Sequence, residues 1–211
     1  VTNIAEDHFG GYGINSLADL AQAKLVVAHA LDARGTLVLN AQDPTLRTVH
    51  APHVERHRGR TVWFRDDEPT EGVPDADAMP FTLRGVARHN IANAVGAAHV
   101  ARALGVTTAQ IEATLRVFGR SNQDNPGRLE RFERNGVRVW IDYAHNPHGM
   151  RFLIDAAIAE RGEGRLGLLL GQAGDRDDDA IRELARTAWR ARPDYVVLKD
   201  IDGYLRGRAP G

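Results

Sequence analysis

The chain has 211 residues, enough for one large or two small domains, and its 43% hydrophobic and 26% charged composition is that of an ordinary globular protein. A formal net charge of −1 with interspersed signs gives no field to attract nucleic acid or an acidic membrane, and the lack of cysteine excludes disulfides, thiolate metal sites and a Cys nucleophile. There is no signal peptide and no apolar run of membrane length, so a soluble cytoplasmic protein is the default expectation.

Val1 to Ile4 reads as the end of a buried strand, followed by the loop Ala5-Glu6-Asp7-His8. With no initiator Met ahead of it, and Arg208-Ala209-Pro210-Gly211 closing just after a strand-like run, the expectation is a piece of a larger protein. Ser16 to Leu31 has helical periodicity, with Ser16 as N-cap and Asp19 three residues on. Lys24 falls among the apolar positions of that helix, where a lysine usually packs its stem and extends its amine to water. Gly35 to Asn40 is a short strand. Asn40 and Asp43 flank the turn after it, either as ordinary turn residues or orienting a ligand from behind.

Residues 45–80 read mainly as loop or edge strand, with a strand at Thr61 to Phe64 and a surface loop at Asp66 to Asp77. His50, His53 and His57 have spacings that would suit zinc on one helix face, but Pro52 and the neighbouring arginines oppose it. A zinc site there would be lost in His53→Ala. From Gly85 an Ala-rich helix runs to Leu104, with Asn90 and Asn93 on one face near its start, where asparagines are most often caps. A second helix follows to Phe118, with Thr108 as its expected cap, and a polar stretch from Gly119 to Asp124 is the expected domain boundary.

The most informative stretch begins there. Asn125-Pro126-Gly127 is a turn signal, and the polar pair Asn135-Gly136 leads into the strand Val137 to Ile141. Asp142, His145 and Asn146 follow before Pro147 opens a helix, at the carboxyl end of a strand where open α/β sheets bind ligands. A carboxylate at Asp142 suits a ribose hydroxyl, and Arg128 offers a planar fork for phosphate. The Trp140 strand, helix 147–161, strand 166–170, helix 178–190 and strand 195–198 alternate, which implies a parallel sheet with right-handed crossovers. The Gly171 to Asp177 loop looks like part of a nucleotide site but lacks the dinucleotide fingerprint.

Pro126-Gly127-Arg128, Asp142-Tyr143-Ala144-His145-Asn146-Pro147, His89-Asn90 with Asn93, and Gly174-Asp175-Arg176-Asp177 together resemble the Mur ligases, ATP-dependent amide-forming enzymes. The likeness runs along nearly the whole chain, and Lys199-Asp200 with Arg206 and Arg208 leans toward the cyanophycin-synthetase branch. The implied fold is α/β: residues 1–120 as part of the family's central domain, a parallel sheet with helices, and 125–211 as its Rossmann-like C-terminal domain. The family's phosphate loop, ending in Gly-Lys-Thr or Gly-Lys-Ser, does not occur in these residues.

By resemblance, His8 and a carbamylated Lys24 would hold Mg²⁺, Arg128 would contact phosphate, Asn93 the adenine of ATP with Asn90 supporting it, and Asp142 the ribose. His145 and Asn146 would shape the nucleotide pocket. The implied reaction phosphorylates a carboxylate with ATP and lets an amine displace phosphate from the acyl phosphate. The implied partners are an amino acid and a carboxylate-bearing, peptide-like substrate, arginine and aspartate side chains in the cyanophycin branch, with homo-oligomer formation open. A ligase for folylpolyglutamate or peptidoglycan precursors and a non-catalytic ATP-binding module are the competing expectations.

Overall fold

A computed structural model describes residues 1–5, 13–171, 178–200, 203–205 and 207, without the Arg56 side chain. The chain is mixed α/β and divides into two compact units, 1–124 and 125–211. Among the described residues no helix is long and apolar enough to cross a membrane.

The first unit is built on a parallel pair, β1 (Thr36–Asn40) and β2 (Arg60–Phe64), in register from Thr36 opposite Arg60 to Asn40 opposite Phe64. Alternation along β1 divides its side chains between two cores. Leu37 and Leu39 join Leu20, Leu25 and Leu46 from α1 (Leu17–Leu25) and α2 (Pro44–Val49), whereas Val38 joins Phe64 and Val95 from α4 (Arg88–Ala103). Both faces of the pair are therefore covered, as parallel strands require. Gly96 permits the α4 contact, since a Cβ there would lie 3.1 Å from the Phe64 ring.

Several local expectations need correction. The first helix is α-helical only to Leu25 and continues as a 3-10 turn, Val26–Ala30. Residues expected as loop form α2 and α3 (Ala51–Arg56), because Pro44 and Pro52 sit in first turns, where a missing N–H costs nothing. Thr107, not Thr108, caps α5 (Thr108–Leu115), through a capping box with Gln110.

In the second unit, β3 (Glu130–Arg134) and β4 (Val137–Ile141) form an antiparallel hairpin. Asn135 and Gly136 both have positive φ, 52° and 76°, as a two-residue turn with the twist of its strands demands. The expected placement of Val137 to Ile141 in a parallel sheet is thus overturned by this local partner. Val137, Val139 and Ile141 alternate with Arg138 and Trp140 and are exposed, while Arg138 pairs with Glu160 of α6 (Pro147–Arg161) at 3.1 Å.

The parallel pair of this unit is β5 (Gly167–Leu170) with β6 (Tyr195–Leu198), joined through α7 (Asp178–Trp189). Met150 and Ile154 of α6 and Leu184 and Ala188 of α7 recur at i, i+4 and form the core, with Leu168 and Leu170 packed on it. Asp194 closes the pair, its carboxylate accepting from the Leu166 N–H at 2.7 Å and its own N–H donating to the Leu166 carbonyl at 2.8 Å.

Candidate functional site

The expected site residues fall in both units. In the first, Val1 to Ala5 runs beside β1 without forming a regular strand. The Val1 nitrogen donates to the Val38 carbonyl at 2.7 Å, and the Asn40 N–H donates to the Val1 carbonyl at 3.1 Å. Three side chains then fix consecutive residues. Asn40 donates its amide to the Thr2 carbonyl at 2.9 Å, Lys24 reaches the Asn3 carbonyl at 3.5 Å, and Asp43 accepts from the Ile4 N–H at 2.7 Å.

Asp43 also caps α2, its second oxygen accepting from the Leu46 N–H at 2.7 Å, and both Asn40 and Asp43 are buried. In this geometry they bind backbone. Lys24 is half-buried at the last turn of α1, its amine directed at the segment ahead of Glu6. His8 lies outside the described residues.

Asn90 stands inside the first turn of α4, whose N-cap is Ala87, so neither asparagine caps that helix. The Asn90 amide donates to the Phe81 carbonyl at 2.7 Å and ties α4 to the 3-10 turn Pro80–Thr82. Leu83, Arg84 and Gly85 all have positive φ between these two elements. Thr82 braces that bend: its fully buried hydroxyl donates toward the Ala76 and Met79 carbonyls at 2.6 and 2.8 Å and accepts from the Gly85 N–H at 3.3 Å. Asn93, one turn on, is exposed on the same face as Asn90.

The zinc expectation fails geometrically. His50 Nδ1 is bound to the Leu46 carbonyl at 2.9 Å, buried His57 bonds to the Arg60 carbonyl and Gly59 N–H, and His53 stacks on His29 with ring nitrogens 3.2 Å apart. Among the described residues no group of three or more His, Cys, Asp or Glu side chains is placed to hold a metal.

In the second unit, residues 125–129 and the end of β4 clasp one another. The Tyr143 N–H donates to the Gly127 carbonyl at 2.9 Å, and Asp142 Oδ2 accepts from the Leu129 N–H at 3.0 Å. Arg128 is exposed, its guanidinium carbon 5.2 Å from the centroid of the Tyr143 ring, which is 65% exposed. The His145 ring lies 5.1 Å from the Tyr143 ring, and its Nδ1 meets the Tyr143 carbonyl at 2.9 Å.

Asn146 is the N-cap of α6, its side-chain oxygen accepting from the Gly149 N–H at 2.8 Å. Arg128, Asp142, His145 and Asn146 thus share one edge of the unit, around Tyr143. Sequence reasoning assigned no role to Tyr143; the signal available was an aromatic next to a turn arginine paired across a hairpin. Residues 172–177, most of the expected nucleotide-site loop, lie outside the described residues, as do Arg206 and Arg208.

Comparisons with known proteins bear on this geometry. Residues 127–207 match the family described as Mur ligase, glutamate ligase domain. The whole chain aligns at 30% identity with 27% of the cyanophycin synthetase of Synechocystis sp., and at 34% with 45% of the UDP-N-acetylmuramate–L-alanine ligase of Clavibacter sepedonicus. It therefore spans less than half the length of these relatives. Among solved structures, MurF from Acinetobacter baumannii covers 93% of this chain over 45% of its own, with TM-score 0.71 and 20% identity. Folylpolyglutamate synthase from Thermotoga maritima covers 88% over 45% of its own, with TM-score 0.57 and 19% identity, and both likenesses concern the fold. Residues 127–207, in the unit that carries the Arg128 clasp, are thus a Mur ligase glutamate ligase domain, and the chain over its whole length is similar to Mur-type ligases.

Proposed function

We propose that this chain is part of an ATP-dependent ligase that joins an amine to a carboxylate, and that Arg128 and Asp142 receive the nucleotide. One observation carries the reading. An exposed guanidinium and a carboxylate are fixed on the same clasp at the carboxyl end of β4, one suited to phosphate and the other to a ribose hydroxyl. One backbone amide uses only part of a carboxylate's acceptor capacity, so Asp142 can hold Leu129 and still accept from a sugar.

Asn93 is proposed for the adenine, with Asn90 fixing the start of the helix that carries it; His145 and Asn146 shape the pocket wall and hold the turn into α6. His8 and Lys24 are proposed for Mg²⁺. A lysine ammonium repels a cation, so Lys24 joins such a site only as its carbamate, which presents carboxylate-like oxygens to a hard metal. Bound there, the ion would screen phosphate charge.

In the proposed reaction a substrate carboxylate oxygen attacks the γ-phosphorus and ADP departs. An amine then attacks the acyl carbon, phosphate departs, and the amine gives up a proton. Arg128 contributes orientation and charge to the phosphate end.

Arginine as the amine and an aspartate-rich chain as the acceptor are the favoured pair, supported by the cyanophycin synthetase alignment. The 34% identity to UDP-N-acetylmuramate–L-alanine ligase supports alanine with UDP-N-acetylmuramate as the second reading. Because these 211 residues hold no Gly-Lys-Thr or Gly-Lys-Ser loop, the chain by itself is expected to turn over little ATP. The test is ADP release by the full-length protein, with each amino acid and each acceptor in turn. Release requiring arginine and the aspartate-rich acceptor supports the first reading, and release requiring alanine and UDP-N-acetylmuramate the second. Nucleotide binding without amine-stimulated release would refute both in favour of a binding module.

A further inference from the structure

We infer that Glu130 is a positioning residue for Arg128, acting through the backbone of the turn that carries the guanidinium. The inference rests on the reading of Arg128 as the phosphate-binding group.

Arg128 stands between two residues with left-handed backbone, Gly127 at φ 75° and Leu129 at φ 49°. Glycine adopts that conformation without penalty, but leucine does so against the contact of its Cβ with the following carbonyl and needs surrounding contacts to stay there. All three consecutive amides of the turn have defined acceptors. Gly127 N–H donates to Glu130 Oε1 at 2.7 Å, Arg128 N–H to the Asn125 carbonyl at 3.2 Å, and Leu129 N–H to Asp142 Oδ2 at 3.0 Å. Two of those acceptors are carboxylates, one on each side of the arginine. The Gly127 carbonyl in turn takes the Tyr143 N–H, so the backbone of Arg128 and the ring under its guanidinium are tied at one point.

Glu130 therefore has a task distinct from that of its strand. It opens β3 opposite Ile141, yet its side chain turns back three residues to grip the amide preceding Arg128. Without that grip, Gly127 regains the widest conformational freedom of any residue, and the guanidinium loses its fixed origin. This task needs an acceptor oxygen and no charge. Glutamine supplies the oxygen and alanine does not.

The experiment measures binding of a non-hydrolysable ATP analogue and of adenosine to the full-length protein by calorimetry, for the parent, Arg128→Ala, Glu130→Ala, Glu130→Gln and the Arg128→Ala/Glu130→Ala double variant. Loss of a charge-assisted phosphate contact is expected to weaken the analogue about tenfold or more in Arg128→Ala, leaving adenosine unchanged. Glu130→Ala is expected to weaken the analogue roughly threefold or more, Glu130→Gln to stay within about twofold of the parent, and the double variant to match Arg128→Ala, as coupled residues do.

Parent-like binding by Glu130→Ala alongside a weakened Arg128→Ala would overturn the inference and leave the phosphate reading standing. Equal losses in Glu130→Gln and Glu130→Ala would also overturn it, since charge and not an acceptor oxygen would then be at work. An unchanged affinity in Arg128→Ala would remove the phosphate reading and the inference together.

Discussion

Asp43→Ala is the most demanding test of the first unit's architecture. The buried carboxylate makes two short hydrogen bonds, 2.7 Å to the Ile4 N–H and 2.7 Å to the Leu46 N–H, and both are lost. Removing an N-cap side chain costs about 1 kcal/mol. Leaving the buried Ile4 amide without an acceptor costs a further 1–3 kcal/mol or so. The sum is about 2–4 kcal/mol, which at typical urea slopes moves the midpoint of the first unit by roughly 1–2 M. Asp43→Asn, with one acceptor oxygen left, should lose about half as much.

Because two units need not unfold together, urea unfolding is best followed by amide exchange in each unit separately. Ile4 and Leu46 should lose protection first, with the second unit unchanged. A midpoint shift below about 0.3 M, with both amides still protected, would refute the claim that this carboxylate binds the N-terminal segment to α2.

Gly136→Ala should destabilise the second unit by about 1 kcal/mol, a purely backbone penalty because a Cβ there meets nothing within 4 Å; an unchanged melting curve would contradict the turn geometry. Asp142→Ala should lower nucleotide affinity about tenfold while circular dichroism stays native, and unchanged calorimetric affinity would remove it from the site. His99, stacked on Phe64, is held below its ordinary pKa by burial, reinforced by the Arg102 and Arg60 charges. The unfolded chain then takes up a proton more readily, so its contribution is full above the unfolded value of about 6.5 and declines as pH falls from there toward the lowered folded pKa. His99→Gln should flatten that acid-side decline in urea midpoints, and parallel pH profiles would exclude His99 as its source.

Much of the fold was legible because it is written in local pattern. Pro147 announced the start of α6, because a proline suits a helix's first turn and that signal acts within a few residues. The segment after Asp43 was misread because Pro44 and Pro52 look like breakers unless the first turns they occupy are recognised. The strand Val137–Ile141 read as part of the parallel sheet because its β-branched residues carry the same pattern whether the partner is a central strand or a hairpin neighbour. Within the candidate site, Arg128 and Asp142 were visible as residue types at a strand end. The Leu129 amide that joins them was not, since a left-handed leucine has no compositional sign. The backbone-binding of Asn40 and Asp43 was equally hidden, for it depends on a segment nearly forty residues away in sequence.

That difference in reach has a kinetic consequence. The Leu129–Asp142 bond closes a loop of 13 residues, and the Ile4–Asp43 bond one of 39. Loop-closure entropy grows with the logarithm of length, so the longer closure costs about 1 kcal/mol more before any contact offsets it. The shorter one also spans a two-residue turn preset for its strands, of the kind that forms within microseconds. On refolding, the backbone around Arg128 therefore assembles early and from its own neighbourhood, whereas the tether at Ile4 waits for β1 and α2 to be in place.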